Sequence, residues 1–224
     1  MSKKIIILII AMKEEPYITL EQASKNTWAS IKHPNIQILY LHSKPEITPY
    51  ISNNELFVNG NEGWLNIGHK TINAYEYLLN NLDVDYVYRT NLSSYVHQEG
   101  LYNYVNTCPE TNVYNGVVGN HNGTPFASGC GYLISKDLMR YVVDNKHLWD
   151  HVSHYDDVSI AKVLRTIPIL PTFVPRIDII TDNALKSFDI STINNCFHFR
   201  CKNEHDRSHD ARVMKMLHNY FYKL

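Results

Sequence analysis

The chain has 224 residues, with 21 Lys and Arg against 22 Asp and Glu. At 44% hydrophobic and 19% charged it has an ordinary globular composition, which excludes a disordered or fibrous chain. The formal net charge of −1 argues against a nucleic-acid binder, which carries a basic surplus to neutralise phosphates. The cysteines at 108, 130, 196 and 201 lack the density of a secreted disulfide scaffold. They read as reduced thiols of a cytoplasmic protein.

Lys3-Lys4 followed by the apolar run Ile5 to Met12 imitates a signal peptide, but no small-x-small cleavage site follows. The run is far shorter than the roughly 20 residues that span a bilayer. It is nearly all Ile, whose branched Cβ favours a buried strand. Thr19 to Ile31 reads as a helix after Pro16, and Ile36 to Leu41 as the second strand. Asn66 to Leu82 carries Ile67, Ile72, Tyr75, Leu78 and Leu79 at helical spacing. Tyr86 to Tyr88 belongs to a third strand. Further helices are expected at Gln98 to Asn106, from Ser135-Lys136-Asp137 onward, at Asp156 to Leu164 and at Asp210 to Tyr222. Strand-helix-strand alternation predicts an α/β fold, one domain with a mainly parallel central sheet flanked by helices. Ligands of such sheets sit beyond the carboxyl ends of the strands. That directs attention to Ala11 to Glu14, His42 to Lys44 and Thr90 to Tyr95.

Four segments, taken in order, point to a chemistry. They are Leu65 to Thr71 (LNIGHKT), Asp85 to Ser94 (DYVYRTNLSS), Ala127 to Ser135 (ASGCGYLIS) and His154 to Ile160 (HYDDVSI). Their order resembles the nucleotide-sugar glycosyltransferases of the GT-A fold, particularly the β1,3-galactosyltransferase and Fringe type. That family carries a YNLTLKT-like helix start, a strand ending in KTDDD, a SGGGYxxS segment and an acidic EDV segment. The resemblance covers about Ile5 to Leu164 and implies a Rossmann-like GT-A domain over 1–224. Residues 1–95 would form the nucleotide-binding half, and 96–224 the acceptor and catalytic half with a C-terminal tail. It implies transfer of a sugar from a nucleotide diphosphate, UDP-linked, to a hydroxyl of a glycan or glycoconjugate, with inversion.

One departure bears on the cofactor. The family's metal-binding carboxylates fall here on Asn91-Leu92-Ser93, and Asn and Ser are poor ligands for Mg²⁺ or Mn²⁺. Asp83-Val84-Asp85 spells a similar acidic pattern but precedes the strand, and reads as a solvated loop. The expectation is therefore that no divalent cation is required, although Mn²⁺ or Mg²⁺ remains an alternative. Positive side chains can instead counter the departing diphosphate. Lys70, Arg89 and the run His198, Arg200, Lys202 are the candidates, the last three sharing one face if the segment is extended. A solvated edge strand is the plain alternative for that run, and a structural carboxylate partner for Arg89. Basic groups in place of metal resemble the core-2 branching N-acetylglucosaminyltransferases, whose NLSG segment is similar to Asn91 to Ser94.

Asp157 matches the second acid of EDV, so the resemblance makes it the base that takes the acceptor hydroxyl's proton, worth ~10²–10⁴-fold. Asp156 would orient the acceptor or raise its neighbour's proton affinity; a helix N-cap is the alternative for the pair. Ala11 and Met12, with Arg89, Thr90, Asn91 and Ser93, would hold the nucleotide and its phosphates. Gly129 and Gly131 are expected to form a tight turn that lets the backbone approach the sugar. Trp28, Trp64 and Trp149 suit either sugar stacking or the core. Two other readings stay open. One is a catalytically silent sugar- or nucleotide-binding protein. The other is an interaction domain stabilised by zinc at Cys196, His198, Cys201, His205 and His209.

Overall fold

The computed structural model describes residues 2–149, 155–193 and 196–222. The Ile-rich start forms β1 (Ile5–Ile10), buried along its whole length. Period-two alternation sends Ile5, Ile7 and Ile9 into one core layer and Ile6, Leu8 and Ile10 into the other, so this strand is covered on both faces. Next come α1 (Tyr17–Lys25), β2 (Ile36–Lys44), β3 (Tyr50–Ser52), β4 (Glu55–Asn59) and α2 (Ile67–Asn81). After them lie β5 (Tyr86–Asn91), β6 (Ser94–Val96), α3 (Gln98–Thr107), β7 (Tyr114–His121) and β8 (Thr124–Ser135). The last stretch holds α4 (Lys136–Asp144), α5 (Asp156–Leu164), β9 (Thr172–Phe173), β10 (Ile177–Asp178), α6 (Asp182–Lys186), β11 (His198–Arg200) and α7 (Ser208–Tyr222).

Eight strands form one sheet in the order β3-β4-β2-β1-β5-β8-β7-β9. Its centre, β4-β2-β1-β5, is parallel, and the β7–β8 hairpin joins antiparallel beside β5. Thus the expected α/β architecture is present, with helices on both faces. The core on one face draws on α1, α3 and α7, and the core on the other on α2, α4 and α5. A second, three-stranded sheet, β10-β11-β6, stands where the chain leaves β5.

Several boundaries differ from the sequence reading for local reasons. The helix expected over Thr19 to Ile31 stops at Lys25, and a short 3₁₀ turn at Trp28–Ser30 buries Trp28 instead. Polar residues Arg89 to Asn91 continue β5, because parallel pairing to β1 runs on to Ile10–Asn91. Gly129 and Gly131 form no turn: both lie inside the long extended strand β8. A Cβ on Gly131 would collide with the Tyr88 hydroxyl and the His198 ring, so the missing side chain makes room for the protein's own aromatics. No helix among the described residues is long and apolar enough to cross a membrane.

Candidate active site

Sheet geometry decides where Arg89 points. It shares a face of β5 with Val87, the face covered by α2 and α5, and is buried there. Its guanidinium meets the first residue of α5: Arg89 Nη2 lies 2.8 Å from Asp156 Oδ2 and donates to Oδ1 at 2.9 Å. Nη1 donates to the Gly129 carbonyl, and Thr71 Oγ1 on α2 donates to Asp156 at 3.3 Å. Of the alternatives for Arg89, this is the structural carboxylate partner. Asp156 is likewise internal, 4% exposed, with Arg89 as its counter-charge.

Asp157, one residue on, faces Gly129 of β8 from the other side of Arg89's bond to that residue and stays partly exposed. Its Oδ2 accepts the Gly129 N–H at 2.6 Å and its Oδ1 the Val158 N–H at 2.9 Å. Burial pushes the Asp157 carboxyl up, and the charge of Asp156 adds to this; the Gly129 N–H and Arg89 oppose them. A carboxylate fastened at a helix start with raised proton affinity is both an N-terminal anchor and a competent proton acceptor. His154, the first residue of the acidic segment in the sequence reading, lies outside the described residues.

A chain of hydrogen bonds links this corner to the end of β5. The carbonyl of Cys130 accepts Thr90 Oγ1 at 2.7 Å and Ser94 Oγ at 3.2 Å. Asn91 Oδ1 accepts the Ser93 N–H at 3.1 Å and Ser94 Oγ at 3.3 Å, which folds the chain tightly after the strand. At Ser93 itself stands a residue that sequence reasoning missed. Arg207 Nη2 donates to Ser93 Oγ at 2.5 Å and pairs with Asp210 at 2.8 Å, and the Cys201 N–H binds the Ser93 carbonyl at 2.8 Å. The only signal for it was Arg207 three residues before Asp210 at the start of a helix. Nothing in that spacing points to residue 93.

The donor set at Asn91 and Ser93 does not fit a divalent cation. It offers neutral oxygens, and a guanidinium already rests on one of them. The basic run behaves unevenly. His198 is buried, contacts Ser94 Oγ at 3.1 Å, and is held neutral by burial and by Arg176 and Arg200. Arg200 shares its face and lies 4.0 Å from Asp178, while Lys202 falls beyond the strand and pairs with Glu204 at 2.9 Å. Arg176, also missed, binds Asp178 at 2.5 Å, so two guanidiniums share one carboxylate. Lys70 is 1% exposed; its Nζ donates to the Ala11 carbonyl at 2.7 Å and to Glu62 at 2.9 Å. It thereby ties down the end of β1, where Ala11 and Met12 are buried.

Trp28 and Trp149 are core residues, and Trp64 is 58% exposed just before α2. The cysteine and histidine series of the tail does not converge on one point. His198 faces Ser94, His209 binds Asp182 and the Ile179 carbonyl at 3.0 Å each, and His205 is exposed. The alternation of β11 and the turn after it scatter these side chains, so the alternative zinc cluster of the tail is absent among the described residues.

Sheet order, the helices on both faces and the small second sheet after β5 make a GT-A-type α/β fold, the architecture of two solved glycosyltransferases. One structure with this architecture is a glycosyltransferase involved in the glycosylation of the major capsid of PBCV-1. It superposes with a TM-score of 0.56 at 14% identity, over 95% of this chain and 100% of that one. Another is the galactosyltransferase LgtC, solved with donor and acceptor sugar analogues, with a TM-score of 0.50 at 13% identity over 97% and 95% of the two chains. No protein-family model matches the sequence, and no curated protein does either.

Proposed function

We propose that the protein is a glycosyltransferase that moves a sugar from a nucleotide diphosphate donor, UDP-linked, to a hydroxyl of a glycan or glycoconjugate, with inversion. The observation that carries this reading is Asp157: a partly exposed carboxylate with raised proton affinity, pinned to β8 beside the end of β5 in a GT-A fold. In the proposed step, Asp157 takes the acceptor hydroxyl's proton as that oxygen bonds to the anomeric carbon. The bond from the anomeric carbon to the phosphate oxygen breaks on the opposite face, and the diphosphate leaves with the electron pair. Arg207, Arg200 and Lys202 offset its charge in place of a metal ion. The donor's nucleotide and phosphates would lie over the sheet end built by Ala11, Met12, Thr90, Asn91 and Ser93, of which Asn91 is the one not buried. Arg89 and Asp156 act as positioning residues, holding α5 and Gly129 so that Asp157 is aimed.

The test is a screen of purified protein against a panel of nucleotide sugars and glycan acceptors, with proton NMR of the product's anomeric configuration. Transfer with inversion supports the reading, and a retained configuration rejects the single displacement. A second reading, a silent nucleotide-sugar binder, draws on the neutral Asn91-Leu92-Ser93 segment. Calorimetric binding of a donor with neither transfer nor hydrolysis would select it.

A further inference from the structure

His42, near the end of β2, is 1% exposed, yet neither ring nitrogen has a hydrogen-bond partner. It lies flat against Phe57, with ring centroids 5.4 Å apart and 27° between planes, so the ring's orientation is set by packing. Its Nε2 faces Glu21 Oε2 on α1 at 3.6 Å and Glu55 Oε2 on β4 at 3.9 Å. These separations are too long for hydrogen bonds. They are close to the spacing of ligand atoms around one tetrahedral ion, roughly 3.3–3.6 Å for bonds of about 2.0–2.2 Å. One ligand atom from each of the three residues lies within 4.8 Å of the others, the single such group among the described residues.

The surrounding lysines orient the two carboxylates, and one of them competes with a cation. Lys25 Nζ takes the Oε1 atoms of both glutamates, at 2.6 Å and 3.2 Å, which leaves both Oε2 atoms turned toward His42. Lys13 Nζ, 3.0 Å from Glu55 Oε2, places a positive charge there, but its side chain is 49% exposed and can swing into solvent. On the other side of the ring, Nδ1 faces Glu62 Oε1 at 3.8 Å, and Glu62 is itself held by Lys70 at 2.9 Å.

We propose that Glu21, His42 and Glu55 form a site for a divalent transition-metal ion, with zinc best matched to their one nitrogen and two oxygens. The site lies on the α1 face of the sheet, opposite Arg89 and Asp156, and shares no residue with the proposed transfer chemistry. It therefore stands or falls independently of that function.

The test uses the full chain freed of any histidine tag. Equilibrium dialysis against zinc, read by atomic emission, is expected to give one equivalent per chain and a higher melting midpoint. Cobalt in its place is expected to give visible d–d absorption. H42Q and E55Q should each weaken binding at least ~10-fold, while Lys13→Met should tighten it by removing the competing ammonium. E55Q serves if H42Q fails to fold. Absence of bound zinc in the wild type overturns the proposal, as does unchanged binding in both ligand variants. Binding confined to the Lys13→Met variant also overturns it, because the lysine would then be the resident cation.

Discussion

Arg89 and Arg207 stand at two parts of the same strand and meet opposite circumstances. Arg89 sits within β5, fully covered, with Asp156 as its counter-charge and the Gly129 carbonyl as a second acceptor. Arg207 reaches the end of β5 from the tail with its side chain 20% exposed; it rests on a neutral hydroxyl as well as on Asp210. A desolvated guanidinium tolerates only the partner that neutralises it, so the interior arginine belongs to the framework. One at a strand end, still one-fifth exposed, keeps an edge toward an incoming anion while it neutralises the buried Asp210. The same division separates Asp156 from Asp157, adjacent in sequence but facing different neighbours.

Breaking the interior pair is the most severe test of this contrast. Asp156→Ala strands a buried guanidinium, and we expect a loss of about 3–5 kcal/mol in urea unfolding. A change under 1 kcal/mol would place Arg89 on the solvent side of the divide. Asp157→Asn keeps an oxygen for the Gly129 N–H, so folding should be retained while turnover falls at least ~100-fold and donor binding persists. Normal turnover would reduce Asp157 to an anchor of α5. Arg207→Met should lower turnover roughly 10–100-fold and also lower the melting midpoint, because it leaves the buried Asp210 carboxylate without its counter-charge; a lowered midpoint with unchanged turnover would make Arg207 a framework residue only.

The pH dependence sharpens the carboxylate half of the comparison. A carboxyl whose proton affinity rises on folding stabilises the native state most when protonated. That contribution is lost as pH rises from the ordinary value near 3.9 through the folded one. The melting midpoint of Asp157→Asn relative to wild type should therefore climb with pH across this window. The acid limb of the wild-type rate profile should lie above that ordinary value. The smallest expected effect is from chelation. EDTA should leave turnover unchanged while lowering the melting midpoint by withdrawing zinc from His42. Loss of turnover restored by Mn²⁺ would reject the metal-free step.

Much of the layout was legible because it depends on neighbours in sequence. The Ile run, the helical spacing of Asn66 to Leu82 and the acidic start of Asp156 to Leu164 each carry their own periodicity, and each became the expected element. The weaker signals belong to pairing. β8 holds two glycines in extended backbone because Tyr88 and His198 fill the space beside one of them. The tail's alternating basic residues suggest one charged face, yet His198 ends up neutral in the core.

The alternation of β1, α1, β2, α2 and β5, the acidic pair at the start of α5 and the missing carboxylates at 91–93 were set by the chain alone, since local propensity and motif order suffice for them. Which arginine is enclosed, which aspartate remains accessible, and that residue 207 reaches residue 93 were decided only on folding. Burial, and hence the strength of every charge, depends on groups brought together from distant parts of the chain.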